Sequence, residues 1–292
     1  MISNPAAGRG RARRLAPVVG RLLAENGVRT ELVESQARGG IETLVREAAE
    51  AGHRQIIVAG GDGTIQEAVN GAINSGTDAA LGVIPTGTGN DFVKSCAIPL
   101  HYEHATALLA DRISSDAKPI RLDVGRMNDR YFVNGAGIGF DARIADFADR
   151  IRLPIGDLVY LVGLMRSLRD GVETPPMSIR FGDNELTGPV TLANFANGPW
   201  VGGMFNIAPD ARNDDGQLEL VYAEPASSLR VLQLLPKILR GQHLREADVH
   251  RFVVRTATIE AEEPVLSHLD GEIQPARTLF RIETLPGALN LL

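Results

Sequence analysis

Helical and strand-like stretches alternate through the first 111 residues, and this alternation limits the possible folds more than any other feature of the sequence. Helices are predicted at Arg11–Asn26, Ile41–Ala51, Thr64–Asn74, a stretch beginning at Asp91, and Tyr102–Asp111. Strands are predicted between them at Arg29–Glu34, Gln55–Ala59 and Ala80–Ile84. The last two are continuous apolar runs, which are typical of strands buried on both faces. We therefore expect a parallel sheet with helices on both sides.

The pattern changes near Ile120, where short strands separated by polar turns begin. These predicted strands are Leu122–Arg126, Arg130–Asn134, Met177–Phe181, Val190–Asn194, Gln217–Tyr222, Val249–Arg255, Ala257–Ala261 and Thr278–Glu283. Such strands favour an antiparallel β-sandwich, here with helical inserts at Gly156–Asp170 and Ser227–Arg240. We expect an α/β domain over residues 1–121 and a β-sandwich over 122–292, with residues 284–292 packing back on the first domain. Only Met1–Ser3 is left for a first strand, so an incomplete N-terminus is also expected.

Composition excludes several classes of protein. The 292 residues carry 30 Lys and Arg against 36 Asp and Glu, a net charge of −6, which argues against a dedicated nucleic-acid binder. No apolar run reaches the roughly 18 residues of a membrane span, and no signal peptide is evident. Cys96 is the single cysteine, which suits a reducing compartment. We expect a soluble cytoplasmic protein whose membrane contacts are peripheral.

Three glycine-containing loops are the candidate phosphate-binding segments of the sequence. Gly60-Gly61-Asp62-Gly63-Thr64 follows a buried strand and opens a helix, where backbone N–H groups and the helix dipole favour phosphate. Asp62 fits beside a phosphate if Mg²⁺, or a water bound to it, lies between them. The alternative is a tight turn with a helix-capping aspartate. The other loops are Pro85–Phe92, in which Asn90 or Asp91 could simply cap a helix, and Asn4–Gly10, which could be a solvated basic turn.

Other nucleotide and hydrolase motifs do not fit. There is no Gly-x-x-x-x-Gly-Lys-Ser/Thr loop and no Gly-x-Ser-x-Gly turn. The stretch Gly135–Phe140 lacks the third spaced glycine of a dinucleotide fingerprint. His101 and His104 are interpreted as surface residues rather than zinc ligands.

The three loops, in this order, resemble the bacterial diacylglycerol kinase and lipid kinase family, which is related to sphingosine kinases. The resemblance covers nearly the whole chain. It includes the later segments Leu122–Gly125, Asn134–Asp141, Gly202-Gly203, Ala208–Ala211, Asp214–Leu218 and Leu269–Glu272. It implies a two-domain enzyme that uses ATP and Mg²⁺, with an α/β nucleotide-binding domain, a β-sandwich and an active site in the cleft between them.

The resemblance also implies roles for individual residues. Nucleotide contacts fall on Asn4, Pro5, Ala6, Ala7, Gly8, Ser35, Gly61, Asp62, Gly63, Thr64, Ile65, Gln66, Glu67 and Thr88. An acidic network around a catalytic Mg²⁺ falls on Asp62, Asn90, Asp91 and Asp123. Glu272 matches the general base, with Asp270 as a rival that is better interpreted as a turn former. A second, structural Mg²⁺ falls on Arg212, Asp215 and Gln217, although Asp215-Gly216 could be a plain hairpin turn. Asp157 stands where the family often has a lysine.

The function hypothesis is an ATP- and Mg²⁺-dependent lipid kinase that phosphorylates a hydroxyl of diacylglycerol or a related lipid. Such an enzyme would visit the membrane surface transiently, and the two helical inserts could either enter the interface or cover the sandwich core. A homodimer is left open by the sequence. The alternatives are a soluble-substrate kinase of the NAD kinase type and a non-catalytic nucleotide or lipid sensor.

Overall fold

The computed structural model of the protein describes residues 1–37, 39–151, 155–156 and 158–292. Asp157 lies outside the described residues. The chain forms two compact units. The first unit comprises Met1–Asp123 together with Gly287–Leu292, and the second comprises Val124–Pro286.

The first unit is a parallel sheet with helices. Its strands are β1 (Ile2–Ser3), β2 (Val33–Glu34), β3 (Gln55–Gly60) and β4 (Ala80–Pro85). Its helices are α1 (Ala7–Glu25), α2 (Gly40–Glu50), α3 (Asp62–Asn74), α4 (Asp91–Ser95) and α5 (Tyr102–Ser114). The strands lie in the order β4-β3-β1-β2, and every pairing among them is parallel. The short stretch before Asn4 is therefore sufficient for a strand, which pairs on both sides.

The pattern of buried residues accounts for the strands and helices of the first unit. Strands β3 and β4 are buried along almost their whole length, as their apolar runs predict. Val19 and Leu23 of α1 and Leu109 of α5 pack with Ile57 and Ile84 in one apolar cluster. Helices α1 and α3 begin a few residues earlier than predicted, because the glycines of the preceding loops lie in their first turns.

The second unit is built from antiparallel strands. They are β5 (Ile120–Met127), which begins in the first unit, β6 (Arg130–Phe132), β7 (Gly135–Gly139), β8 (Pro176–Phe181), β9 (Asn184–Pro189), β10 (Leu192–Ala196), β11 (Trp200–Val201), β12 (Phe205–Asn206), β13 (Leu218–Ala223), β14 (Val249–Val254), β15 (Thr256–Leu269) and β16 (Glu272–Leu291). The central order is β14-β13-β10-β7-β15-β16. Phe132, Phe195 and Phe280 are fully buried in its core.

Three helices accompany these strands: α6 (Phe140–Arg150), α7 (Leu158–Arg169) and α8 (Ser228–Ile238). Helix α6 was not predicted. Leu164 and Leu168 of α7 pack with Phe140 of α6 and Val231 of α8. The buried faces of α7 and α8 therefore form an apolar cluster with α6, and Leu234 of α8 also packs with Val221 of β13. A short 3₁₀ helix, His243–Arg245, follows α8.

Strand β16 contributes to both units. Its first half pairs with β15 in an antiparallel hairpin that carries a register shift between Glu260 and Val265. Its far end pairs in parallel with β4, with Leu291 opposite Leu81. The amide of Leu292 donates to the carbonyl of Leu81 at 2.9 Å, and both Leu291 and Leu292 are buried.

Candidate functional site

The predicted loops of the first unit meet at one edge of its sheet. Because β1, β3 and β4 are parallel neighbours, Asn4, Gly61 and Thr86 all follow the carboxyl ends of their strands. The loops are tightly apposed, since a Cβ on Gly87 would lie 2.5 Å from the Cα of Gly61. A Cβ on Gly8 would lie 2.6 Å from the carbonyl oxygen of Thr86. Only glycine fits at these positions.

Asp62 ties two of these loops together. Its Oδ2 accepts the amide of Asn90 and its Oδ1 accepts the amide of Asp91, both at 2.7 Å. These amides lie at the start of α4, so Asp62 caps a helix other than its own. The capping alternative concerned α3, the helix that this loop opens, whereas the carboxylate is observed to cap α4. These bonds fix Asp62 beside the residues expected to share a metal ion with it.

Buried polar atoms line this edge without partners of their own. Asn90 adopts a left-handed conformation with φ of 52°, and its Oδ1 has no hydrogen-bond partner in the described part of the chain. The same is true of the hydroxyls of Ser3 and Thr86, the residues directly before two of the loops. All three residues are at most 6% exposed. Since buried polar groups normally find partners, these atoms mark a place where a polar ligand would be favourable.

Glu67 has a structural role that the sequence did not reveal. Its two carboxylate oxygens accept the amides of Gly39 and Ile41, each at 3.1 Å. These amides open helix α2, so this carboxylate satisfies donors that the helix cannot satisfy itself. Ile65 and Gln66, on the same turns of α3, are 1% and 3% exposed, so their side chains face the protein interior.

The remaining predicted nucleotide contacts lie around the same edge. Asn4 donates from Nδ2 to the hydroxyl of Thr64 at 3.4 Å, and its Oδ1 accepts the amide of Ala6 at 3.0 Å. Ser35 is buried at the end of β2, next in the sheet to β1, and Thr88 is exposed in the loop after β4. Pro5, Ala7, Gly8, Gly61 and Gly63 are partly exposed there.

The predicted acidic network is only partly assembled. Asp91 is bonded to Asp62 through its amide, and its carboxylate lies 3.5 Å from Nζ of Lys94. Asp123 is 4% exposed, and its Oδ1 accepts the amide of Gly287 at 2.8 Å. Among the residues that the structure describes, no three His, Cys, Asp or Glu side chains come together in a way that would hold a metal ion.

In the second unit, Asp270 and Glu272 lie on the turn between β15 and β16. The Asp270 carboxylate accepts the amides of Val133, Asn134 and Gly135 at 2.8–2.9 Å. Burial raises the pKa of Asp270 to about 6, against the lowering effect of these N–H donors. These three bonds give the Asp270 carboxylate a structural role in this turn. Glu272 begins β16 and is partly exposed.

The residues expected at a second metal ion form a local turn. Both ends of the Arg212 guanidinium bind Asp214, at 3.1 and 3.3 Å, which raises the pKa of Arg212. Oδ1 of Asp215 accepts the amide of Gln217 at 3.0 Å, and Gly216 has φ of 74°. This is the geometry of an aspartate-initiated turn.

Sequence comparison decides the family. Residues 1–122 match the diacylglycerol kinase catalytic domain, and residues 135–292 match the YegS C-terminal NAD kinase β-sandwich-like domain. A diacylglycerol kinase of Mycobacterium tuberculosis is 31% identical over 301 residues, which covers 100% of this chain and 93% of the relative. A YegS-like lipid kinase of Chromohalobacter salexigens is 36% identical over 254 residues, covering 85% and 78%. This chain belongs to the bacterial diacylglycerol kinase and lipid kinase family.

Solved structures agree on the lipid kinase fold. A diacylglycerol kinase from Bacillus anthracis aligns with a TM-score of 0.81 at 24% identity, covering 99% of this chain and 93% of that one. A second structure from the same organism gives a TM-score of 0.74 at 22% identity, covering 99% and 94%. The predicted fold, a parallel α/β domain followed by an antiparallel β-sandwich, is confirmed, as is the assignment to a family of phosphotransferases. None of the helices in the described ranges is long and apolar enough to cross a bilayer.

Proposed function

We propose that the protein transfers the γ-phosphoryl group of ATP, with Mg²⁺, to a hydroxyl of diacylglycerol or a related lipid. The observation that carries this proposal is the set of unpartnered buried oxygens of Ser3, Thr86 and Asn90 at the edge where the loops of the parallel sheet meet. Ligands of such sheets bind outside the carboxyl ends of the strands. The family match supports a phosphoryl donor at that edge.

The phosphates of ATP would be held mainly by backbone groups in the first unit. Glycines 8, 61 and 87 let the loops approach each other closely, which leaves room for N–H groups to face an anion. The predicted contacts at Ile65 and Gln66 would have to be made by the backbone, because both side chains are buried. In this proposal residues 1–121 form the ATP-binding domain and 122–292 the lipid-binding domain.

The donor set near Asn90 suits a hard cation such as Mg²⁺, which prefers oxygen ligands. Asn90 offers an unpartnered amide oxygen, and Asp62 offers a carboxylate that the amides of Asn90 and Asp91 hold in place. Asp91 offers a second carboxylate, which lies 3.5 Å from Nζ of Lys94. Mg²⁺ is commonly bound by one or two carboxylates together with substrate phosphates, so three converging acids are not required. When bound, the cation would neutralise charge on the transferring phosphoryl group. Asp123 and the Arg212–Gln217 turn remain proposed contributors to the catalytic and structural Mg²⁺ sites.

Glu272 is the proposed general base. A lipid hydroxyl is a weak nucleophile, and a carboxylate within hydrogen-bond reach can accept its proton during attack. The choice of Glu272 over Asp270 is supported by the hydrogen bonds of Asp270, because its carboxylate already accepts three backbone amides.

An apolar acceptor is supported by the outer faces of α7 and α8. Leu158, Val162 and Met165 lie on one side of α7 at helical spacing and are 43–51% exposed. Leu229 on α8 is 65% exposed. Arg169, in the last turn of α7, is highly exposed and could contact anionic headgroups. We propose that these faces approach the membrane surface transiently.

The test is transfer of ³²P from labelled ATP to a bacterial lipid extract, with products separated by chromatography. We expect labelled lipid with the wild-type protein and a decrease of about 10²–10⁴-fold in Glu272→Gln. ATP binding should be unchanged in that variant. Glu263→Gln is the matched control, because Glu263 is an exposed glutamate on β15 away from the turn.

Three outcomes would contradict the proposal. Equal rates in Glu272→Gln and the wild type would remove the base assignment. Label in NADP when NAD is supplied as acceptor, with none in lipid, would favour a soluble-substrate kinase. Tight ATP binding without turnover on any lipid would favour a sensor.

A further inference from the structure

The turn that carries Glu272 is conformationally demanding. Asp270 and Gly271 both have positive φ, of 50° and 88°. Leu269 pairs with Glu272 across the turn, so Glu272 is the first residue of β16 whose direction the turn sets. The hydroxyl of Tyr160 would lie 3.1 Å from a Cβ placed on Gly271, so the turn is also covered from one side.

The first half of this turn is anchored by Asp270. In addition to the three amides that its carboxylate accepts, the amide of Asp270 donates to the carbonyl of Gly135 at 2.8 Å. The second half depends on a different group. The pairing of Leu269 with Glu272 closes the hairpin, and the amide of Gly271 at its tip has a further partner.

That partner is His268. Its ring is 1% exposed, and its Nδ1 accepts the amide of Gly271 at 3.2 Å. The other ring nitrogen, Nε2, lies 3.5 Å from Oδ2 of Asp141 and makes no hydrogen bond within the described residues. Asp141 is held by Nδ2 of Asn194 at 3.1 Å and by the amide of Ala142 at 2.9 Å. The acceptor role of Nδ1 therefore rests on its bond to Gly271, and the Asp141 carboxylate lies beside the opposite nitrogen of the ring.

We propose that His268 is a positioning residue, which fixes the Gly271 peptide and through it the direction of Glu272. This inference rests on the proposed function of Glu272. Proton transfer needs the base within hydrogen-bond distance of the hydroxyl, and a misplacement of about 1 Å can reduce the rate on the order of 10²-fold. His268 itself touches no substrate and acts only through the backbone.

Two amide variants separate the roles of the two ring nitrogens. In His268→Asn, the amide oxygen takes the place of Nδ1 and can still accept the amide of Gly271. In His268→Gln, the amide group lies nearer the place of Nε2, and the acceptor for Gly271 is lost. We expect His268→Asn to keep kcat within about 3-fold of the wild type and His268→Gln to lose roughly 10–100-fold. KM for ATP and lipid should be unchanged in both variants.

Hydrogen exchange of the Gly271 amide supplies a readout that does not require activity. Exchange at the turn should be faster in His268→Gln than in the wild type and unchanged in His268→Asn. Equal losses of kcat in the two variants, a change confined to KM, or unaltered exchange in His268→Gln would each overturn the proposal. A wild-type protein without lipid kinase activity would refute the proposed function instead, and exchange alone would then decide whether His268 fixes the turn.

Discussion

At the scale of single residues, acidic side chains in this protein hold backbone amides of other segments. Asp62 binds the start of α4, Glu67 binds the start of α2, and Asp270 binds three successive amides after β6. Each carboxylate satisfies N–H groups that have no partner within their own element. The loop after β4 and the segment before α2 are thereby fixed through backbone amides.

The titration of Asp270 leads to a prediction about pH. Burial raises its pKa to about 6 in the folded chain, whereas an aspartate in an unfolded chain titrates near 3.9. The folded state therefore binds this proton more tightly, and the resulting stabilisation is present below pH 4 and lost as pH rises through about 6. Asp270→Asn removes the titration but keeps one acceptor.

We expect the free energy of unfolding of the wild type, minus that of Asp270→Asn, to fall between pH 4 and pH 7 by at most about 3 kcal/mol. Urea unfolding at a series of pH values measures this difference. Parallel pH profiles for the two proteins would contradict the raised pKa.

At the scale of elements, helix packing in the first unit depends on where glycine occurs. Gly71 of α3 lies against α2, and a Cβ there would be 2.3 Å from the carbonyl oxygen of Glu42. Gly20 of α1 has open space, since the nearest atom to an added Cβ is Cε of Met1 at 4.0 Å. An added methyl group would therefore clash with α2 at Gly71 but would have free space at Gly20.

Alanine at these two positions should change stability in opposite directions. We expect Gly20→Ala to raise the free energy of unfolding by about 0.5–1 kcal/mol, because alanine is the better helix former. Gly71→Ala should lower it by about 1–3 kcal/mol, because helix α2 would have to move away. Denaturant titrations of both variants against the wild type test the prediction, which fails if both changes have the same sign.

Helices and strands were predicted correctly where a short run of consecutive residues determines them. The apolar runs Gln55–Ala59 and Ala80–Ile84 became β3 and β4, each longer by one residue. The strand predicted at Ala257–Ala261 is only the first part of β15, which continues to Leu269 through register shifts that a local pattern does not show. Helix α6 was not predicted, because it begins directly after Gly139 without a capping side chain to mark its start.

The predictions for the site were limited by long-range contacts. The loops after β3 and β4 could be expected to meet, since parallel strands end at one edge. That Asp62 and Glu67 would cap α4 and α2 could not be predicted, because the amides they bind are remote in sequence. The bond between His268 and Gly271 is local, but the contact of His268 with Asp141, which Asn194 holds, joins residues remote in sequence.

At the scale of the whole molecule, β16 links the end of the sequence to the first unit. Its final residues pair with β4 and bury Leu289 and Leu291, while Gly287 donates its amide to Asp123. The first unit therefore depends on residues that follow the entire second unit in the chain.

Leucine substitutions test this dependence. Leu291→Ala should lower the free energy of unfolding by about 2–5 kcal/mol, because Leu291 is 3% exposed. Leu229→Ala should change it by less than about 0.5 kcal/mol, because Leu229 is 65% exposed. Limited proteolysis should then cut Leu291→Ala first within residues 1–123. Initial cleavage in the second unit would contradict the assignment of this strand end to the first.

The course of β16 also bears on how the protein is made. During translation, β1 to β4 leave the ribosome early, but the strand that covers the free edge of β4 is encoded after Val124–Pro286. At about 5–20 residues per second, that edge stays open on the order of ten seconds or longer. An uncovered apolar strand is a site for aggregation and for chaperone binding, so the nascent first unit should be a chaperone client until its last strand arrives.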